Sequence, residues 1–122
     1  MKIVITSNGD NLNSEVDPRF GRAACFLFGD PEVMDFSVIE NKNIDAAGGA
    51  GINSAKLVID AGAEAVLTGN CGPNAERTLR AAGIKLYTGA TGTVAEALEL
   101  FKNGKLTEAD GPNVESHFGT GD

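Results

Sequence analysis

The chain has 122 residues, enough for one domain with a sizeable core, and its 42% apolar content with 16 glycines suits a globular α/β protein rich in tight turns. A formal charge of −7 argues against nucleic acid as the main partner, because phosphate contacts need a basic surface, although local donors can still hold a small anion. Two cysteines are too few for a disulfide scaffold, no apolar run is long enough for a membrane span, and nothing at the amino end resembles a signal peptide. A reducing, cytoplasmic setting with free thiols is the expectation.

Residues 2–6, Lys-Ile-Val-Ile-Thr, form the nearly continuous apolar run of a central strand buried on both faces. Residues 7–19 are polar and turn-rich, a loop long enough to suggest a role. Phe20-Gly21-Arg22 leads into a second strand over 24–28. The turn Gly29-Asp30-Pro31-Glu32 then returns the chain as a third strand over 34–40, so the two should pair as a hairpin. The small-residue loop 46–51 precedes a helix with Ile52, Ala55, Val58 and Ile59 on its inner face, ended by Ala61-Gly62.

A strand at 64–68 feeds the turn Thr68-Gly69-Asn70-Cys71-Gly72 and a helix opening at Pro73, a residue suited to the first helical position. Ala75, Leu79 and Ala82 are expected to face inward there, with Glu76, Arg77 and Arg80 in water. Gly83 caps this helix, residues 84–87 make the last strand, and the turn 88–93 opens a third helix with Val94, Ala97, Leu98 and Phe101 on its apolar face. Residues 105–122 read as a flexible acidic tail after a domain spanning 1–104.

The order βββ-αβ-αβ-α predicts a ribonuclease-H-like, five-stranded mixed sheet of order 3-2-1-4-5, with strand 2 antiparallel and three helices. Ligands of open α/β sheets bind outside the carboxyl ends of parallel strands. That edge would gather the loop 7–19, the turns 68–74 and 88–93, and the glycine loop before the first helix. Three helix starts with glycine-rich lead-ins would point at one place, an arrangement suited to an anion. Gly49, Gly51, Gly69, Asn70, Gly72, Gly89, Thr91 and Gly92 are the candidate backbone donors, with Arg19 and Arg22 as balancing charges.

Cys71, just ahead of a helix start, is either a thiolate ligand or a small residue closing a turn. Cys25 is a weaker metal candidate. His117 in the tail is the weakest. No Walker or complete dinucleotide fingerprint is present.

These segments, taken together, resemble the dinitrogenase iron–molybdenum cofactor biosynthesis family, the NifX-like domain also found at the carboxyl end of NifB and in NafY. The matching stretches are Lys2–Gly9 (KIVITSNG), Phe20–Ala23 (FGRA), Glu40-Asn41, Gly48–Ile52 (GGAGI), Gly72–Ala75 (GPNA), Ala82–Ile84 (AGI) and Gly89–Gly92 (GATG). They run through residues 1–104, and their joint order is more specific than any one of them. The resemblance implies a fold that binds and carries iron–sulfur or iron–molybdenum cofactor precursors without catalysing a known reaction. The chain is similar to the short stand-alone members. Cys25 stands where that pattern has a bulky aromatic or a variable residue, and His117 lies past the matching region.

The leading expectation is therefore a non-enzymatic carrier or scaffold for an anionic metal–sulfur cluster, bound transiently and passed between donor and acceptor proteins. An alternative is a metal-free regulatory or interaction module docking an anionic ligand at the glycine-rich edge. A nuclease would need carboxylates clustered on the sheet, and strand 1 offers none. A thiol enzyme would need a base beside Cys71, and the single histidine is in the tail.

Overall fold

The computed structural model describes residues 1–42, 49–109 and 111. Five strands are formed by Ile3–Ser7 (β1), Cys25–Asp30 (β2), Asp35–Glu40 (β3), Ala65–Leu67 (β4) and Lys85–Tyr87 (β5), and three helices by Ala50–Ala61 (α1), Pro73–Ala81 (α2) and Val94–Lys102 (α3). The sheet order is β3-β2-β1-β4-β5. β1 pairs antiparallel with β2 and parallel with β4, β2 pairs antiparallel with β3, and β4 runs parallel to β5. The order and the antiparallel second strand are those expected from the sequence.

The alternation of each strand divides the apolar side chains between two layers. Val4, Phe26, Val66 and Leu86 face α1 and α2, whose Ala55, Val58, Ala75 and Leu79 complete that core. Ile3, Ile5, Leu27 and Leu67 face α3 through Val94, Ala97 and Leu98. Every residue of β1 is buried, which explains why its sequence is a continuous apolar run rather than an alternating one. Each fully buried Leu, Ile or Phe contributes about 1.5–3 kcal/mol, so the two layers supply the main driving force.

Three expectations change on the helices. Ile52 is only half-buried, and the core position one turn into α1 belongs to Ser54, whose hydroxyl donates to Gly21 O at 2.9 Å. On α2, Glu76 is buried at 5% exposure, not solvated, while Ala82 is exposed. The stripe facing the sheet and α1 runs through Ala75, Glu76 and Leu79; α2 stops at Ala81, so Ala82 lies beyond the helical periodicity. Glu76 is tolerated inside because Arg80, one turn on, reaches it at 3.4 Å.

The first residues of the expected tail are held by the domain. Leu106 packs against the α3-side core, Glu108 bridges antiparallel to Tyr87, and Ala109 N donates to Leu86 O at 2.7 Å. This strap covers the outer side of β5 and, being antiparallel to it, carries the chain toward the amino ends of the strands. The rest of the expected tail, with His117, and Ala46-Ala47-Gly48 of the small-residue loop lie outside the described residues. Among the described residues no helix is long and apolar enough to cross a membrane.

Candidate functional site at the carboxyl edge of the sheet

β1, β4 and β5 are parallel, so the loops after them share one edge, and the backbone sews these loops together. Val16 N donates to Gly92 O (2.9 Å), Val94 N to Ser14 O (2.8 Å) and Ala95 N to Leu12 O (2.9 Å). Asp17 N donates to Thr6 O at 3.1 Å, and the buried Thr6 and Thr68 hydroxyls lie 2.9 Å apart beneath that crossing. Asn70 N and Nδ2 both donate to Pro18 O (2.8 and 3.1 Å), and Phe20 N donates to Asn70 O (3.2 Å). Gly89 N donates to Gly69 O at 2.9 Å. Gly69 must be glycine for proximity alone: a Cβ there would lie 2.7 Å from Pro18 Cα.

The structure thus brings the loop 8–19 and the turns 68–72 and 88–93 into contact. It also commits the Gly69 carbonyl, the Asn70 amide groups and the Gly89 N–H to holding them.

The three helix starts are not equivalent. α3 is closed by a capping box: Thr93 Oγ1 accepts from Glu96 N (3.1 Å) and Glu96 Oε1 accepts from Thr93 N (2.9 Å). With Val94 N and Ala95 N given to the loop, its first-turn donors are occupied. Thr91 and Gly92 border a cleft of about 370 Å³ whose other lining includes Glu96 and Glu99, carboxylates that repel an anion. The third turn therefore departs from the three-turn cradle expected from sequence. Among the described residues neither α1, beginning at Gly49, nor α2, beginning at Gly72, has a side-chain cap; α1 has no acidic residue in its first turn, and α2 has Pro73 at its first position and Glu76, paired with Arg80, in its first turn. These two helices pack together on one face of the sheet, across it from α3.

Between β1 and the start of β2, the segment 17–23 carries the arginines to that pair of helix starts. Arg19 bridges parallel to Asn70, and Gly21 abuts the backbone of Gly51. Arg19 is 43% exposed and its Nε lies 3.4 Å from Asp17 Oδ1, which also accepts Arg19 N at 3.0 Å. Asp17 is 1% exposed, so part of the Arg19 charge offsets a buried carboxylate. Arg22 is 9% exposed and lies next to Gly21, close to the α1 start.

The two cysteines sit in different surroundings. Cys71 is fully buried in the core with Phe20, Phe26, Val58 and Ala75, and its Sγ lies 3.7 Å from Gly72 O. Cys25 opens β2 opposite Ser7 and Glu40. Burial, with Asp10 and Glu40 nearby, pushes its thiol pKa up, the reverse of the electropositive setting that makes a good thiolate ligand. Among the described residues no group of three or more His, Cys, Asp or Glu is placed to hold a metal ion.

The occupied α3 start had a readable signal, the Thr93-x-x-Glu96 spacing of a capping box. Burial of Glu76 and the pairing of Asp17 with Arg19 had none, since both depend on which helix face and which loop strand meet the core.

Residues 1–104 match the family described as dinitrogenase iron-molybdenum cofactor. The apo form of the orange protein from Desulfovibrio gigas superposes with a TM-score of 0.89 at 41% identity, over 93% of this chain and 96% of that one. A putative NifB protein from Thermotoga, solved by NMR, superposes with a TM-score of 0.77 at 39% identity, over 88% of this chain and 91% of that one. Among curated proteins, the uncharacterized protein MJ0580 of Methanocaldococcus jannaschii is 32% identical over 97 residues, 77% of this chain and 82% of the relative. The sheet, the glycine-rich edge and these matches agree: the chain belongs to the dinitrogenase iron-molybdenum cofactor family.

Proposed function

We propose that this protein is a non-catalytic carrier or scaffold in metallocofactor biosynthesis, and that its cargo is an anionic iron–sulfur or iron–molybdenum-type cluster. Family membership supports the coarser part, a role tied to iron–molybdenum cofactor assembly. The observation that carries the finer part is the pair of helix starts at Gly49 and Gly72, neither with a side-chain cap among the described residues, on two helices that pack together on one face. Each has the positive end of a helix dipole, equivalent to roughly half an elementary charge, and Gly49, Ile52 and Asn74 are the residues there that have an N–H and are not buried. The part of the Arg19 charge not offset by Asp17 is positive charge at an edge of a chain that is acidic overall, and Arg22 lies in the same segment next to Gly21. Backbone of the 49–52 and 72–75 segments would hold the cluster's sulfides.

The thiols fit this cargo less well than the amides do. Cys71 would reach a metal only if the turn 69–72 opened, and Cys25 would first have to lose a proton against two carboxylates. Holding a complete cluster by amides and guanidinium groups suits a carrier, because no metal–thiolate bond has to break at hand-over. Donor and acceptor proteins are the partners this role requires.

The test is anaerobic reconstitution with iron and sulfide, or with a preformed cluster, followed by gel filtration and metal and sulfide analysis. Retention of both, with amide shifts concentrated at residues 49–52 and 74–75, is the expected result. Metal content no higher than that of an unrelated acidic protein would overturn the reading.

A further inference from the structure

The two outer strands of the sheet are treated differently. β5 is covered by the strap that bridges Glu108 to Tyr87, whereas no strand among the described residues pairs with the outer side of β3. The bond from Asn41 N to Ala24 O sets the phase of the β2–β3 ladder. By the alternation of antiparallel pairs, Ser37 and Ile39 turn their backbone groups to β2, and Phe36, Val38 and Glu40 turn theirs outward.

The same strand and the turn before it concentrate exposed apolar surface. Val33 (69%), Met34 (37%) and Val38 (45%) are three of the four large apolar side chains that are exposed among the described residues. On the α3 side of the sheet, a cavity of about 290 Å³ lies beside them, lined by Leu12, Leu27, Met34 and Phe36 and flanked by Asp10 and Asp35. Between Arg22 and Lys42 the chain carries four acids and no Lys or Arg. Asp30 is met by the N-terminal amine at 3.4 Å, which leaves Glu32, Asp35 and Glu40 as the local negative charge.

We propose that the outer edge of β3 and this adjoining cavity dock an extended segment of a partner protein, with apolar residues at alternate positions and Lys or Arg at its ends. Backbone pairing to Phe36, Val38 and Glu40 would align it, alternate apolar side chains would enter the cavity over Leu27 and Phe36, and the basic ends would meet Asp35 and Glu40. A second copy of this chain is a poor occupant. In the phase that its outward groups allow, antiparallel pairing of β3 with itself would set Val38 opposite Val38 and Phe36 opposite Glu40, and would bring together two edges of the same charge, each carrying Glu32, Asp35 and Glu40. The surface is distinct from the helix starts assigned to the cargo and does not depend on cargo binding.

The experiment uses the full chain without cargo and a short peptide of alternating valine and threonine with lysine at both ends, against the same peptide with glutamate ends. The lysine peptide should bind with slowed amide exchange confined to Phe36, Val38 and Glu40. It should bind at least about tenfold tighter than the glutamate peptide and more weakly as salt rises. Val38→Lys, at an exposed position, should weaken it about tenfold without unfolding the protein. Equal affinity of the two peptides, protection elsewhere, no binding, or a concentration-dependent dimer protecting the same amides would each overturn the proposal.

Discussion

Gly21 and Gly51 meet backbone to backbone: a Cβ on Gly21 would lie 3.0 Å from both Cα and N of Gly51. Around that contact Ser54 Oγ and Asn41 Nδ2 donate to Gly21 O at 2.9 and 3.2 Å, and Asn41 Nδ2 also donates to Ala23 O at 2.8 Å. The segment leading into β2, Arg22 included, is thereby fixed against the start of α1. Gly21→Ala should cost about 1–3 kcal/mol by overpacking. In urea unfolding the midpoint should fall with an unchanged slope, and the amides of residues 49–52 should shift in NMR spectra.

The Thr6–Thr68 pair should behave as a unit. Thr6 Oγ1 lies 2.7 Å from Asp17 O, and a carbonyl can only accept, so Thr6 gives its proton there and Thr68 donates to Thr6. Thr6→Val should cost about 1–3 kcal/mol, because it leaves a buried carbonyl short of a donor. A double-mutant cycle with Thr68→Val should show a coupling of about 0.5 kcal/mol or more; additive effects would count against a shared network.

Cys25 and Cys71 should separate cleanly in alkylation. Cys71, fully buried, should react with iodoacetamide only at the rate of unfolding or turn opening. Cys25 should react in the folded state with a pH midpoint above the ordinary thiol value, since burial, Asp10 and Glu40 all oppose the thiolate. Glu40→Gln and Asp10→Asn should each lower that midpoint. The sign for stability follows: a thiol pKa raised by folding favours the folded state below the ordinary thiol value and loses that advantage as pH rises through the raised one.

The capping box on α3 should contribute through its hydroxyl. Thr93→Ala should lower stability by about 1 kcal/mol and Thr93→Ser by much less, read as thermal midpoints. Because this start is already occupied, neither change should alter cargo retention.

How much of this was legible differs from element to element. The runs at 3–7 and 65–67 announce buried strands because both faces are covered, and with short crossovers that leaves few possible sheet orders. The positions of Glu76 and Ala82 were not legible. A helix as short as α2 gives the periodicity little to average over, and its end at Ala81 decides whether the next apolar position counts. The lacing of the loop 8–19 was hidden for another reason: most of its bonds run between backbone atoms, which carry no residue signature. The edge where the candidate site was sought follows from strand direction alone. Which helix starts remain open there depends on side-chain caps, and only the Thr93–Glu96 pair was written in the sequence. Depth is what separates Cys71 as core from Cys71 as ligand, and a turn of this composition suits either.

The central claim is that amides and arginines, not thiolates, hold an anionic cluster. The most direct measurement is cluster retention after anaerobic gel filtration by wild type, Cys71→Ala and the Arg19→Gln/Arg22→Gln double variant, each first checked for an unchanged fold by amide NMR. The account expects Cys71→Ala to retain the cluster at the wild-type level and the double arginine variant to lose most of it. Loss of the cluster on Cys71→Ala, with retention by the arginine variant, would contradict it.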